Sequence, residues 1–235
     1  MRKKILILSF ILLLVIGSVL NISVTTKQGI NYNVSEIKLP LYLKVLNFFY
    51  RHFNYKWLVN RITKDLETKE DKVFRLFQWT HETIHFRPKN LPIMDDHVWN
   101  VYVRGYGVSD NFHDLFTTLC HYIGVDAVYL KITNKDSGKI LDLSVVQLKK
   151  GWVIFDPYKG VYFLNKSGGL STVEEIKNQN WKLAKLGLEE VPDSYYKSHL
   201  NALPDVEKIA LGRASIQSPI NRLKWEFNQW ASDTD

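Results

Sequence analysis

The residues Gly105-Tyr106-Gly107-Val108-Ser109-Asp110-Asn111 lead into an amphipathic run that ends at Ile123-Gly124-Val125. Two glycines make a tight turn, and the apolar spacing after it predicts a helix over 110–123. Ser109 then stands at the helix start, where unpaired backbone N–H groups and the positive end of the dipole favour a developing anion. That setting suits a nucleophile of acyl transfer. A serine hydroxyl must hand its proton to a base as it attacks. His113, one helical turn on, and His97, within Asp95-Asp96-His97, are histidines that could converge on it. Ser109 also has a plainer use, as an N-cap accepting from the first-turn amides, and Asp110 and Asp114 would satisfy the dipole with no catalytic role.

A second segment sharpens this reading. Residues 105–125 resemble the nucleophile segment of the transglutaminase-like superfamily of papain-like cysteine enzymes, whose pattern is roughly G-x-C, a helix, then G-I or G-V. Trp152-Val153-Ile154-Phe155-Asp156-Pro157 matches the Trp-x-x-x-Asp-Pro strand of that family. Trp79 and Ile84 match the Trp-x-x-x-x-Ile core of the helix that precedes its nucleophile. The resemblance covers residues 68–165 and implies an α+β papain-like fold with a Cys-His-Asp triad.

Counted back from Gly124, the family cysteine falls on Ser109, and the family aspartate falls on Asp156. The family histidine, aligned along Leu141–Leu148, falls on Leu143, or on Asp142 if the turn takes one residue of slack. Leucine accepts no proton. Asp142 beside Asp156 would set two carboxylates to raise one another's pKa, and neither forms a thiolate–imidazolium pair. The resemblance therefore implies a degenerate triad at Ser109, Asp142 or Leu143, and Asp156. It also implies an old substrate cleft walled by Tyr102, Tyr106 and Trp152, with no cofactor.

The remaining reactive side chains carry less. Cys120 is the single cysteine, so no intramolecular disulfide exists; eleven residues into the helix and beside its apolar stripe, it reads as a buried, inert thiol. His81 and His85 lie one turn apart, but no third ligand can be placed for zinc, and no metal site is assigned. Asn33-Val34-Ser35 and Asn165-Lys166-Ser167 have the form of glycosylation sequons, which bear on the protein only in a eukaryotic source.

Several elements must position these groups. Leu41–Arg61 has helical spacing of Leu, Phe, Tyr and Trp, and predicts one or two helices. Thr68 is a cap candidate for a helix with Glu70 and Asp71 in its first turn and a stripe of Val73, Leu76, Phe77, Thr80 and Ile84. Residues 91–107 read as loop. Three strands are expected at 126–132, 140–148 and 152–155, with a short fourth at 161–163. Helices are expected at 172–186 and 218–230. A helix followed by an antiparallel sheet is an α+β order.

The rest of the chain sets the context. With 235 residues, 46% hydrophobic and 13% aromatic, the composition is that of a packed domain. Of the net charge of +7, four units lie within the first 27 residues, which hold no acid; +3 remains, dispersed, and does not indicate a nucleic-acid-binding surface. Arg2-Lys3-Lys4 precede an uncharged stretch over 5–26, and no A-x-A cleavage pattern follows. An uncleaved signal-anchor over 1–26 is expected, with the N-terminus cytoplasmic and the domain extracytoplasmic. Residues 27–40 are expected as a linker and 41–235 as the transglutaminase-like domain with a C-terminal helical extension.

Two functions follow as expectations. The first is a membrane-anchored domain that has lost its chemistry and binds a peptide, an envelope or cell-wall component, or a partner in a polysaccharide system. The second is an acyl-transferase or peptidase-type hydrolase using Ser109, Asp156 and a displaced histidine.

Overall fold

The computed structural model describes residues 2–30, 33–91, 97–134, 137–187, 191–206, 209 and 217–232. Helix α1 (Arg2–Leu20) is followed by a hairpin of β1 (Ser23–Ile30) and β2 (Asn33–Pro40), paired antiparallel from Ser23↔Pro40 to Ile30↔Asn33. The expected linker is thus two strands. Their Val, Thr and Ile content favours extended backbone, and a hairpin pairs the amide groups that a free linker would leave to water.

One helix, α2 (Leu41–Ile62), spans the aromatic segment, and only Tyr55, Leu58 and Val59 of it are buried. Helix α3 (Lys69–Thr83) begins at Thr68, whose side chain accepts from the Asp71 N–H, and it buries Val73, Leu76, Phe77 and Thr80. A two-residue β3 (His85–Phe86) pairs in parallel with β4 (Tyr106–Gly107).

Between them lies α4 (Val98–Arg104), where loop was expected. Its β-branched, aromatic composition hides a helix of only seven residues. It is held by its ends: the His97 ring accepts from the Trp99 N–H, and Gly105 closes it at φ 72°. Residues 92–96, including Pro92, Asp95 and Asp96, lie outside the described residues.

Helix α5 (Ser109–Tyr122) runs one residue ahead of the expected span and buries Phe112, Leu115, Phe116 and Leu119 completely. Each such side chain contributes roughly 1.5–3 kcal/mol of burial. It packs on an antiparallel sheet of order β5-β6-β7-β8-β9, formed by β5 (Ala127–Thr133), β6 (Ile140–Leu148), β7 (Gly151–Asp156), β8 (Val161–Leu164) and β9 (Lys182–Lys185). The fold is α+β, with α5, the helix that begins at Ser109, against the sheet.

The helix expected over 172–186 is instead α6 (Val173–Lys177) followed by β9. Thr172 and Glu175 form a capping box that starts α6. Gln179, at φ 54°, then turns the chain out of helical geometry, freeing it to extend as an edge strand. Helix α7 (Asp193–Leu200) and helix α8 (Pro219–Ser232) complete the order.

The sheet separates two cores. On the α5 face, Val146, Val153 and Phe155 join α2, α3, α4 and α5. On the other, Leu141, Leu143, Val145 and Ile154 meet Val173, Ile176, Tyr196 and Leu200.

Candidate functional site

The glycine turn has a specific construction. Gly105 caps α4 in the left-handed region, which a side chain would strain. Gly107 is needed for a different reason: a Cβ there would lie 2.8 Å from Asn111 Cβ and 2.9 Å from its Oδ1. That approach lets Asn111 Oδ1 accept from the Val108 N–H at 3.1 Å. Arg104 donates from Nε to the Tyr106 carbonyl at 2.9 Å and covers the Tyr106 ring at 5.6 Å.

Val108, not Ser109, is the N-cap of α5. Ser109 is the first helical residue, half-buried, and its hydroxyl makes no hydrogen bond among the described residues. The capping role open to it in sequence is therefore not the one it plays. The cap is made instead by Asn111 reaching back to Val108.

His113 does not turn toward Ser109. It is fully buried, and its Nδ1 shares a 2.8 Å hydrogen bond with Ser144 Oγ on β6. Its ring lies nearly parallel to that of Tyr129, 16° apart at a centroid distance of 5.5 Å. Its Nε2 lies 3.6 Å from Asp156 Oδ1, too long for a hydrogen bond, and has no hydrogen-bond partner among the described residues. Burial pushes the imidazole down to about 3, with the Asp142 charge opposing, so it is neutral at neutral pH.

Asp156, 2% exposed, ends β7. Tyr196 on α7 donates its hydroxyl to Oδ2 at 2.7 Å, and the Lys159 N–H donates to Oδ1 at 3.0 Å. Burial raises its carboxyl to about 6, against the lowering effect of those two donors.

The two positions open for the family histidine diverge. Asp142 is half-buried and accepts from the Tyr129 hydroxyl at 2.7 Å. Leu143 is fully buried in the core that holds Tyr196, one step past the last pair of the β6–β7 ladder, Ser144↔Phe155. By that register it lies across from Asp156, but its side chain is on the sheet face away from α5, so a base at this position would point away from Ser109. Neither residue can act as an imidazole.

The expected cleft walls separate as well. Tyr106 precedes α5 and is half-buried beneath Arg104. Tyr102 packs between Trp79 and Trp99 at 5.6 and 5.0 Å, as part of the α5-side core. Trp152 is the second residue of β7, four residues before Asp156 and so about 13 Å along the strand. It faces Thr172, Lys177 and Val206 rather than the turn at Ser109. Alternation along a strand says which face a side chain takes, not which end of the sheet holds a site.

A hollow at the turn that follows Asp156 in the chain is lined by His81, Phe86, Tyr158, Lys159, Lys185 and Gly187, with a volume of about 290 Å³. Tyr158 packs on Phe86 at 4.7 Å, and Lys159 Nζ lies 5.6 Å from the centre of its ring. His81 Nδ1 bonds the Pro157 carbonyl at 3.1 Å. His97 is committed to capping α4, and His85 is exposed on β3. Cys120 is fully buried, and burial raises its thiol well above the usual range. Among the described residues no three His, Cys, Asp or Glu side chains gather as a metal site would need.

Sequence reasoning missed Ser144, Tyr129 and Tyr196. Ser144 carried one faint signal, a small polar residue in an otherwise apolar strand. Tyr196 lies 40 residues from Asp156 and beyond the family pattern, so nothing local marks it.

Residues 56–157 match the model of the transglutaminase-like superfamily. No curated protein matches the chain. A crystal structure of a Cytophaga hutchinsonii protein assigned as a cysteine protease is similar at 13% identity and a TM-score of 0.39. That alignment covers 59% of this chain and 53% of the other, so the chain spans about half of its length.

Proposed function

We propose that this chain, which carries a transglutaminase-like domain over residues 56–157 behind an N-terminal helix long and apolar enough to span a membrane, is a pseudoenzyme that acts by binding. The observation that carries the reading is the commitment of His113. His113, one helical turn from Ser109, is sealed in the core against Ser144 and Asp156 and does not serve the Ser109 hydroxyl as a base. Loss of a general base alone forfeits on the order of 10²–10⁴ in rate. Replacement of a thiol by a hydroxyl removes the thiolate as well.

The anchor holds the domain on the extracytoplasmic side, since Arg2, Lys3 and Lys4 retain the N-terminus in the cytoplasm. The ligand is a peptide, an envelope component or a partner protein, taken at the surface around Ser109 and the hollow at Tyr158 and Lys159. Lys159 and Lys185 at that hollow favour a ligand with an acidic group, and Phe86 and Tyr158 give it an apolar wall.

The test is an acylation assay on the full chain in detergent, with activated esters and mass detection of an adduct. No adduct at Ser109 is expected, and Ser109→Ala should behave as the parent does. An ester-derived adduct at Ser109 that disappears in Ser109→Ala would overturn the binding reading in favour of a serine acyltransferase or hydrolase. Protein recovered from membranes beginning after residue 20 would replace the anchor by a cleaved signal.

A further inference from the structure

We infer that α2 lies on the membrane, with its aromatic stripe in the interfacial layer of the leaflet from which α1 emerges. The inference deepens the anchored reading above and rests on it.

The helix has two faces. Tyr55, Leu58 and Val59 enter the core, while Leu46, Tyr50, Phe53 and Trp57 stand 59%, 59%, 62% and 52% exposed. Their spacing of four, three and four residues sets them on one line along the helix, with Tyr42, Leu43 and Phe49 beside it. Water-soluble domains do not leave such a contiguous apolar strip uncovered without a partner.

Three observations select a bilayer as that partner. The first is continuity. The Leu41 N–H donates to the Ile22 carbonyl at 2.9 Å, so α2 begins beside the residue that follows α1 by two. The hairpin returns the chain to the level at which it left the apolar span, and Lys44 Nζ reaches the Thr25 carbonyl at 3.2 Å.

The second is charge. The 22 residues of α2 contain Lys44, Arg51, Lys56 and Arg61 and no acid. At 100° per residue, Lys56 and Arg61 flank the apolar line on its two sides, from which their stems can lie along it while their charges reach headgroup phosphates.

The third is residue type. Tyr42, Tyr50 and Trp57 are the side chains that favour the boundary between hydrocarbon and headgroups. Arg61 lies 5.3 Å from the centre of the Trp57 ring, a cation held at the end of the stripe.

The experiment uses the full chain in nanodiscs of phosphatidylcholine and phosphatidylglycerol. Bimane is attached at Phe53→Cys or Leu46→Cys, at Leu12→Cys in α1, and at Lys166→Cys on the β8–α6 turn. The buried Cys120 stays unlabelled under native conditions. Doxyl lipids quench only labels within the bilayer. Positions 12, 46 and 53 should lose most of their fluorescence and position 166 should keep it. Leu46→Asp and Phe53→Asp together should release a label at Trp57→Cys from quenching while position 12 stays quenched.

Quenching at 12 with none at 46 and 53 overturns this inference and leaves the anchor standing. No quenching at 12 sinks the anchor itself. Labels at 46 and 53 that are unquenched by lipid yet become exposed on dilution below the dimerisation range would assign the stripe to a second copy of the chain instead.

Discussion

His113 and Ser144, 31 residues apart, share a 2.8 Å hydrogen bond in an interior where both side chains are fully buried. The bond ties α5 to β6 and takes the imidazole out of contention as a base for Ser109. With Asp156 on its other side, the arrangement has the composition of a Ser-His-Asp triad and none of its accessibility. It is a structural joint.

A joint of this kind should register in stability. His113→Ala should cost about 2–4 kcal/mol, because it opens a cavity and strands the Ser144 hydroxyl. Ser109→Ala should stay within about 0.5 kcal/mol of the parent, since no cap bond is lost. Urea titrations followed by tryptophan fluorescence would show both. Equal effects would mean that the network does not hold the core together.

Acid should act on this pair in opposite senses. The His113 imidazole titrates near 3 in the fold against 6.5 outside it, so the unfolded chain binds the extra proton and stability falls as pH drops below 6.5. The Asp156 carboxyl titrates near 6 against 3.8, so the folded chain binds its proton and stability falls as pH rises from 4 to 6. Between pH 4 and 6 the two slopes offset one another. Asp156→Asn removes one of them, and its stability should then decline from pH 6.5 to pH 4 more steeply than the parent's. Parallel profiles in denaturant midpoint against pH would refute the assignment.

Gly107 and Gly105 should fail for different reasons. Gly107→Ala drives a methyl into Asn111 and breaks the Val108 cap, at about 1–3 kcal/mol. At Gly105 the space is open and the strain is that of positive φ, about 1–2 kcal/mol. Combining Gly107→Ala with Asn111→Gly, which removes the Cβ that the new methyl would meet at 2.8 Å, should recover part of the first loss and leave the second untouched, as thermal melts of the four variants would show.

Thiol chemistry reports on the α5 turn. In the folded parent, Cys120 should resist iodoacetamide and react only on unfolding, being fully buried with its thiol raised. Ser109→Cys should add one reactive thiol at the helix start. A folded parent that alkylates readily at Cys120 would mean that α5 opens at its centre.

The core of this domain was largely legible. The stripe Phe112, Leu115, Phe116 and Leu119 predicts α5 because a helix with that spacing has one place to bury it. The alternating strands at 140–148 and 152–155 follow from the same logic with a period of two. Thr68, with acids behind it, is a local signal and marks a local event. The failures sit where local preference is weak. Val98–Arg104 favours extended backbone by composition and is helical through its caps and its packing on α5. Residues 27–40 are polar enough to pass for a linker until each strand supplies the other's hydrogen bonds.

The candidate site divides along the same line. From residue order alone come the glycine turn, the serine at the helix start, the Trp-to-Asp-Pro strand, the absence of a histidine at Asp142 and Leu143, and the uncharged stretch over 5–26 behind Arg2-Lys3-Lys4. These depend on identities and spacings that a chain carries whether folded or not. Only the tertiary structure decided that His113 turns to Ser144, that Tyr196 holds Asp156, and that Trp152 sits at the far end of its strand. A buried side chain takes its direction from whichever partner relieves the cost of leaving water, and those partners lie 31 and 40 residues away.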